Sequence, residues 1–210
     1  MVLFLRIITN IKETDMAFTH LHVHTEYSLL DGSNKIKEYV RRVKELGMDS
    51  AAITDHGVMY GVIDFYKACR AEGIRPILGC EVYVAPNSRF DKELTGGDDR
   101  YYHLVLLAEN NTGYNNLTRI VSRGFTEGYY YKPRVDMELL QEFHEGIIAL
   151  SACLAGEVQR YITKGLYDEA KKTALKYQAC FGKGNYFLEL QDHGLPEQKM
   201  VNTALLQMSK

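Results

Sequence analysis

The chain has 210 residues, with 46% hydrophobic and 25% charged side chains. This composition excludes disorder, a collagen-like fibre and a disulfide-rich mini-protein, and the length suits one domain that buries roughly 70% of its unfolded surface without cross-links. Lys+Arg of 25 against Asp+Glu of 27 leaves a formal net charge of -2, so there is no bulk basic field, and any handling of nucleic acid falls to a local groove or a neighbouring domain.

Residues 1–15 open with the apolar run Met1-Val2-Leu3-Phe4-Leu5. The run is too short to span a bilayer and no small-residue cleavage site follows it. These residues are expected to be a non-native extension ahead of one domain covering 16–210, in a cytoplasmic protein with no membrane partner. Thr19–His24 has strand character. Asn34–Leu46 has helical spacing, with Ile36, Tyr39, Val40, Val43 and Leu46 on one stripe, Ser33 as N-cap and Gly47 beyond the end. Ser50–Thr54 reads as a strand, Val62–Ala71 as a helix ended near Gly73, and Pro76–Val84 as a strand. Pro86–Arg100 reads as an exposed loop. Tyr102–Ala108 is a strand and Asn115–Arg123 a helix; Gly124–Arg134 is aromatic and irregular. Asp136–Gln141 is helical, Gly146–Leu150 a strand, Glu157–Tyr161 and Tyr167–Cys180 helices, and Asn185–Leu190 a strand. Pro196 suits the first turn of a last helix running to Ser209. Six strands alternating with helices predict an α/β fold with a parallel sheet, open or curled into a barrel.

Chemistry-bearing residues gather at strand ends. His22 and His24 end the first strand, and side chains at i and i+2 point the same way. His56 follows the second strand in Thr54-Asp55-His56-Gly57, Glu81 lies in the third, His103 at the start of the fourth, and Cys153 after the fifth. His20 sits one step deeper and reads as a packed histidine. Glu81 among Ile77, Leu78, Val82 and Val84 tells most, because a carboxylate in an apolar strand is costly unless paired or metal-bound. The carboxyl ends of parallel strands form one ligand-binding face. The mixed imidazole, carboxylate and thiol set suits divalent zinc or manganese, with magnesium and iron as further options, and has donors for a multinuclear cluster. No CxxC pair occurs among Cys69, Cys80, Cys153 and Cys180, which argues against a zinc ribbon.

These motifs carry a resemblance. The run His20-Leu21-His22-Val23-His24-Thr25-Glu26-Tyr27-Ser28-Leu29-Leu30-Asp31-Gly32 resembles the opening of a PHP domain (polymerase and histidinol phosphatase). So do Ile53-Thr54-Asp55-His56-Gly57, Gly79-Cys80-Glu81 and Ser151-Ala152-Cys153-Leu154-Ala155-Gly156-Glu157. Glu81-Val82-Tyr83-Val84-Ala85-Pro86, Ser88-Arg89-Phe90 and Tyr130-Tyr131-Lys132-Pro133-Arg134-Val135-Asp136 are closer to the PHP domains of bacterial replicative DNA polymerases than to the stand-alone phosphatases.

The resemblance covers about Phe18 to the end and implies a distorted, TIM-like (β/α)7 barrel. It implies metal ligation by His22, His24, Asp31, His56, Glu81, His103 and Cys153, with Asp31, His56 and Glu81 in catalytic roles. Asp31 enters only in this way; alone it reads as a turn residue before Gly32. The family pattern closes with Asp-x-His on a final strand, absent here. The adjacent pair Asp192-His193 places His193 behind a ligand or against substrate, and the barrel edge is expected to be unclosed. The implied activity is metal-dependent phosphodiester hydrolysis, as 3′–5′ trimming of a DNA primer end. The implied partners are the remaining domains of a polymerase chain and other replisome subunits. Arg89, Arg100, Lys132 and Arg134 are candidate phosphate contacts, and Tyr129, Tyr130 and Tyr131 candidate base-stacking rings. The alternatives are a phosphatase of the histidinol-phosphate type and a catalytically silent scaffold.

Overall fold

A computed structural model describes residues 18–93 and 100–210, together with the backbone of Val2–Leu3. The expectation for residues 1–15 otherwise lies outside the described residues, as does the middle of the predicted loop at 86–100. In chain order the elements are β1 (Val2–Leu3), α1 (Ile36–Glu45), β2 (Ser50–Ile53), α2 (Val62–Glu72), β3 (Arg75–Val84), β4 (Tyr102–Ala108), α3 (Asn111–Thr126), β5 (Tyr129–Tyr130), β6 (Lys132–Val135), α4 (Met137–Glu142), β7 (Ile147–Leu150), α5 (Glu157–Thr163), α6 (Tyr167–Phe181), β8 (Tyr186–Phe187), β9 (Leu190–Gln191) and α7 (Pro196–Met208). Among the described residues, no helix is long and apolar enough to cross a membrane.

The fold is mixed α/β. Seven strands form one sheet in the order β5-β6-β3-β4-β7-β8, with β2 also paired to β3. The pairs β2–β3, β3–β6 and β7–β8 are parallel, but β4 runs antiparallel to both β3 and β7. This corrects the all-parallel expectation. A parallel return needs a crossover of a dozen or more residues, usually a helix, and the segment between β3 and β4 shows no helical periodicity. The predicted strand Thr19–His24 is also corrected. It forms no ladder and touches the sheet through Thr54, whose N–H donates to Val23 O at 2.8 Å and whose Oγ1 accepts from Val23 N at 2.8 Å.

Alternation along the strands separates two environments. Cys80, Val82 and Val84 of β3 and Leu104 and Leu106 of β4 face a large core shared with α3 to α7. A second core packs Ile36, Val40 and Val43 of α1 and Phe65 and Cys69 of α2 on Ala51 and Ile53 of β2. The opposite parity meets a smaller cluster of Val105, Leu107, Leu150 and Ala152 with Leu21, Ile77, Ile148 and Phe187, none of them from a helix. Glu81, Tyr83 and His103 share that inner parity.

Helix ends follow local chemistry. Asn110 and Asp136 cap α3 and α4, accepting hydrogen bonds from Gly113 N and Leu139 N, each at 3.0 Å. Gly73 ends α2 in the left-handed region at φ 72°. The expected Ser33 cap is not used, because α1 begins after Lys35 with no side-chain cap.

Gly113 lies in the first turn of α3, where the carbonyl of Gly146 would stand 1.7 Å from an added Cβ. Glycine in a helix ordinarily costs about 1 kcal/mol relative to alanine. Here the sign reverses: Gly113→Ala is expected to destabilise by about 1–3 kcal/mol through overpacking, read as a lower midpoint in urea unfolding.

Candidate metal centre

Glu81 is the hub. Its side chain is fully buried, and its backbone is pinned between strands: Glu81 N donates to Asp55 O at 3.1 Å and Gly57 N donates to Glu81 O at 2.8 Å. Around the carboxylate, Oε1 lies 3.2 Å from His22 Nε2 and 3.0 Å from His103 Nδ1, and Oε2 lies 3.3 Å from His24 Nε2 and 2.8 Å from His56 Nδ1. Cys153 Sγ is 3.8 Å from Glu81 Oε1 and 3.6 Å from His103 Nδ1. On its outer side, His56 Nε2 meets Asp31 Oδ2 at 2.8 Å. The structure thus brings together all seven predicted ligands.

The reversed β4 explains His103. In a parallel sheet the start of a strand lies at the wrong end. Running backwards, β4 sets His103 opposite Tyr83, near the carboxyl end of β3. Since β7 runs against β4, its carboxyl end delivers Cys153 to the same side.

The loop carrying His24 and Asp31 is tied down by Asp55, itself buried. Asp55 accepts hydrogen bonds from Thr25 N at 2.6 Å, Thr25 Oγ1 at 2.7 Å and Ser28 Oγ at 2.7 Å. The tie holds Leu30 at φ 71°, outside the usual range for a side-chain-bearing residue, immediately before Asp31.

Among the described residues, three overlapping sets each place their ligand atoms within 4.8 Å of one another: His22, His24 and Glu81; His24, Asp31 and His56; and His56, Glu81 and His103. The donors also pass a stricter test. His56 Nδ1 and Glu81 Oε2 are both buried and 2.8 Å apart, yet neither has a hydrogen-bond partner. Two donor atoms this close, without hydrogen-bond geometry between them, suit two ligands of one cation, and an orphaned buried pair is otherwise costly. Imidazole, carboxylate and thiol donors fit zinc or manganese.

The electrostatics agree. Burial would raise the Glu81 carboxyl, but the His22 charge and the neighbouring imidazoles of His103 and His24 hold it well below the usual carboxylate range. Burial would lower His22, but the carboxylates of Glu189 and Glu81 hold it well above the ordinary imidazole value. Burial, and then Glu81, push the Cys153 thiol up to about 12.

Other candidates fall elsewhere. His20 packs edge-to-face on Phe18, with ring centroids 4.7 Å apart. Lys132 is exposed, its Nζ 5.5 Å above the Tyr83 ring, which stacks on His56. His193 reaches Gln191 Oε1 at 3.0 Å, and Gln191 Nε2 lies 3.2 Å from His22 Nδ1. Arg134 is corrected: its guanidinium is buried and donates to the backbone carbonyls of Gly128, Arg89 and Asp91. Arg89 is also buried, among carboxylates. Neither is available to a phosphate. Arg100 lies over the exposed ring of Tyr131, 4.5 Å from its centroid. Sequence reasoning missed Glu189, which is buried and 2.7 Å from His22 Nδ1. The signal was present, since Glu189 lies within Tyr186-Phe187-Leu188-Glu189-Leu190 as Glu81 lies within an apolar strand.

Comparison with known proteins bears on this geometry. The PHP domain profile matches residues 20–193. The chain is 52% identical over 194 residues to the DNA polymerase III subunit alpha of Treponema pallidum, covering 92% of this chain and 17% of that protein. It is 49% identical to the Deinococcus radiodurans subunit (90% and 14%) and 47% identical to that of Helicobacter pylori (92% and 16%). The chain therefore spans about a sixth of the length of these relatives. Among solved structures, a Bifidobacterium adolescentis protein described as a metal-dependent phosphoesterase superposes with a TM-score of 0.51 at 13% identity, covering 91% of this chain and 84% of that one. An amidohydrolase from Chromobacterium violaceum gives 0.50 at 15% identity, covering 80% and 75%; both likenesses concern the fold alone. With a profile match running from the first histidines to Asp192-His193, the chain belongs to the PHP domain family.

Proposed function

We propose that this chain is the PHP domain of a bacterial DNA polymerase III alpha subunit and that its centre hydrolyses phosphodiester bonds at the 3′ end of a DNA primer. The observation that carries the reading is the buried Glu81 carboxylate, ringed by four imidazoles and a thiol, with two facing ligand atoms left unpaired by any hydrogen bond. The sequence similarity to the polymerase subunits supports the assignment to that parent protein. The helix-free inner cluster supports a sheet curled in the manner of a distorted (β/α)7 barrel, with its edge left unclosed.

His22, His24, Asp31, His56, Glu81, His103 and Cys153 would hold zinc or manganese. Bound divalent cations supply Lewis-acid charge for the phosphate and acidify a water near neutral pH. The residues divide the remaining work. Glu81, fully buried, anchors the imidazoles and has no access to solvent. Asp31 is the exposed acid, its side chain 58% accessible, and is placed to orient an attacking water or take its proton. His56 links the two carboxylates. Lys132, beside the His56–Tyr83 stack, meets a substrate phosphate oxygen, and His193 faces the His22 side. Other domains of the polymerase chain and other replisome subunits deliver the DNA, in keeping with the absence of a basic field here.

The test is His22→Ala combined with His24→Ala in the full-length polymerase subunit. Metal content by elemental analysis and release of the 3′-terminal nucleotide from a labelled primer are both expected to fall at least about tenfold, with the thermal unfolding transition retained. Unchanged metal content would mean that the ligands are misassigned. Metal loss without any nucleotide release by the wild type would favour the silent scaffold, and turnover of histidinol phosphate the stand-alone phosphatase.

A further inference from the structure

Behind His22 lies a polar chain that the ligand set does not include. Glu189 is 2% exposed and Gln191 is 5% exposed. Glu189 Oε1 sits 2.7 Å from His22 Nδ1 and accepts from Gln191 Nε2 at 2.6 Å. Gln191 is oriented in turn by His193, whose Nε2 lies 3.0 Å from Gln191 Oε1. The backbone beneath is fixed as well. Glu189 N donates to Ser151 Oγ at 2.8 Å, Ser151 Oγ also accepts from Gln159 Nε2 at 2.8 Å, and Asn202 Nδ2 donates to Gln191 O at 2.7 Å. The strand is interrupted at Leu188 and Glu189, between β8 and β9, where the Glu189 side chain turns to His22.

A structural role alone accounts poorly for Glu189. Its second oxygen, Oε2, is buried without a hydrogen-bond partner, and a half-satisfied buried carboxylate is costly. A glutamine could fill the same space without the charge. What the charge does supply is a stronger acceptor than an amide oxygen, one that favours a proton of His22 on Nδ1. That leaves Nε2, the nitrogen facing Glu81, as the ligating atom, and the neighbouring anion makes that nitrogen more basic.

We propose that Glu189 is a positioning residue for the metal centre: it fixes the proton of His22 on Nδ1 and aims Nε2 at the cation, while Gln191 and His193 hold the Glu189 carboxylate in place. The inference rests on the metal-centre reading above and assigns a role to the Asp192-His193 segment other than ligation. The unit works as His193 to Gln191 to Glu189 to His22, each side chain orienting the next.

Glu189→Gln tests it, because the variant keeps volume and removes charge. Zinc affinity, measured by competition with a chromophoric chelator, is expected to fall about 10–100-fold, with the urea unfolding midpoint of the metal-free protein unchanged or raised. A second readout needs no metal. In histidine-labelled protein, with His22→Ala giving the assignment, the His22 Nδ1 proton should resonate far downfield as a carboxylate-bound proton, and should move upfield in Glu189→Gln. Equal zinc affinity in the two proteins overturns the proposal, and so does an Nδ1 proton that is not downfield in the wild type. Failure of the wild type to bind zinc strikes the metal-centre reading instead, and the proton resonance then decides this inference.

Discussion

Glu81→Gln should empty the centre. Two of the three overlapping ligand sets contain this carboxylate, and both of its oxygens face imidazole nitrogens. Replacing it removes the negative charge common to those two sets and puts an amide N–H among atoms that have lone pairs to give. Removing a partner behind a ligand typically costs 10–100-fold in affinity. Loss of a shared ligand is expected to exceed about 100-fold, read by elemental analysis after gel filtration. The fold should survive, because the surrounding imidazoles can shed their protons and become neutral once the anion is gone. Retention of metal at wild-type stoichiometry would show that Glu81 is only an internal counter-ion for histidines.

Arg89→Met should cost more stability than any substitution at the metal centre. Arg89 is 3% exposed, with Nη1 at 2.8 Å and 3.0 Å from the two oxygens of Asp136 and Nε at 2.6 Å from Glu127. Asp136 is itself buried and caps α4, so its carboxylate cannot turn to water. Removing one partner of a buried pair leaves the other charge uncompensated, at about 3–5 kcal/mol. The denaturation midpoint should drop accordingly. Arg89→Met combined with Asp136→Asn should recover part of the loss, because asparagine still caps a helix and carries no charge. A cost for Arg89→Met below about 1 kcal/mol, the range of exposed pairs, would contradict the buried-pair account.

The element order was legible because periodicity and punctuation are local. The stripe of Ile36, Val40 and Val43 and the left-handed Gly73 mark α1 and the end of α2 without reference to anything distant. Strand direction was not legible in that way. The clue lay in the sequence between β3 and β4, which has no helical periodicity of the kind a parallel crossover calls for. His103 at a strand's beginning pointed to the same reversal. The site was legible where a residue type was out of place, as with Glu81 in an apolar strand; the same argument reaches Glu189. Asp31 sits in an exposed loop, where a carboxylate is ordinary, and only the family resemblance singled it out. Arg89 and Arg134 read as candidate phosphate contacts because their true partners are far away in sequence. Asp136 is 47 residues from Arg89, and Arg134 reaches back 43 residues to the Asp91 carbonyl.

The pairing of Tyr83 with His103 and of Val105 with Leu150 makes the centre a gauge of assembly. Slipping β4 by one residue would turn His103 to the helix-covered side and bring in Leu104 or Tyr102. The donors are drawn from stretches as far apart as His22 and Cys153, so a chain that has joined only neighbouring segments cannot complete the set. On the metal-centre reading, capture of a cation is therefore a late event in folding. It also rewards one alignment of the sheet over its misaligned competitors, since binding to the native state alone shifts the balance toward it.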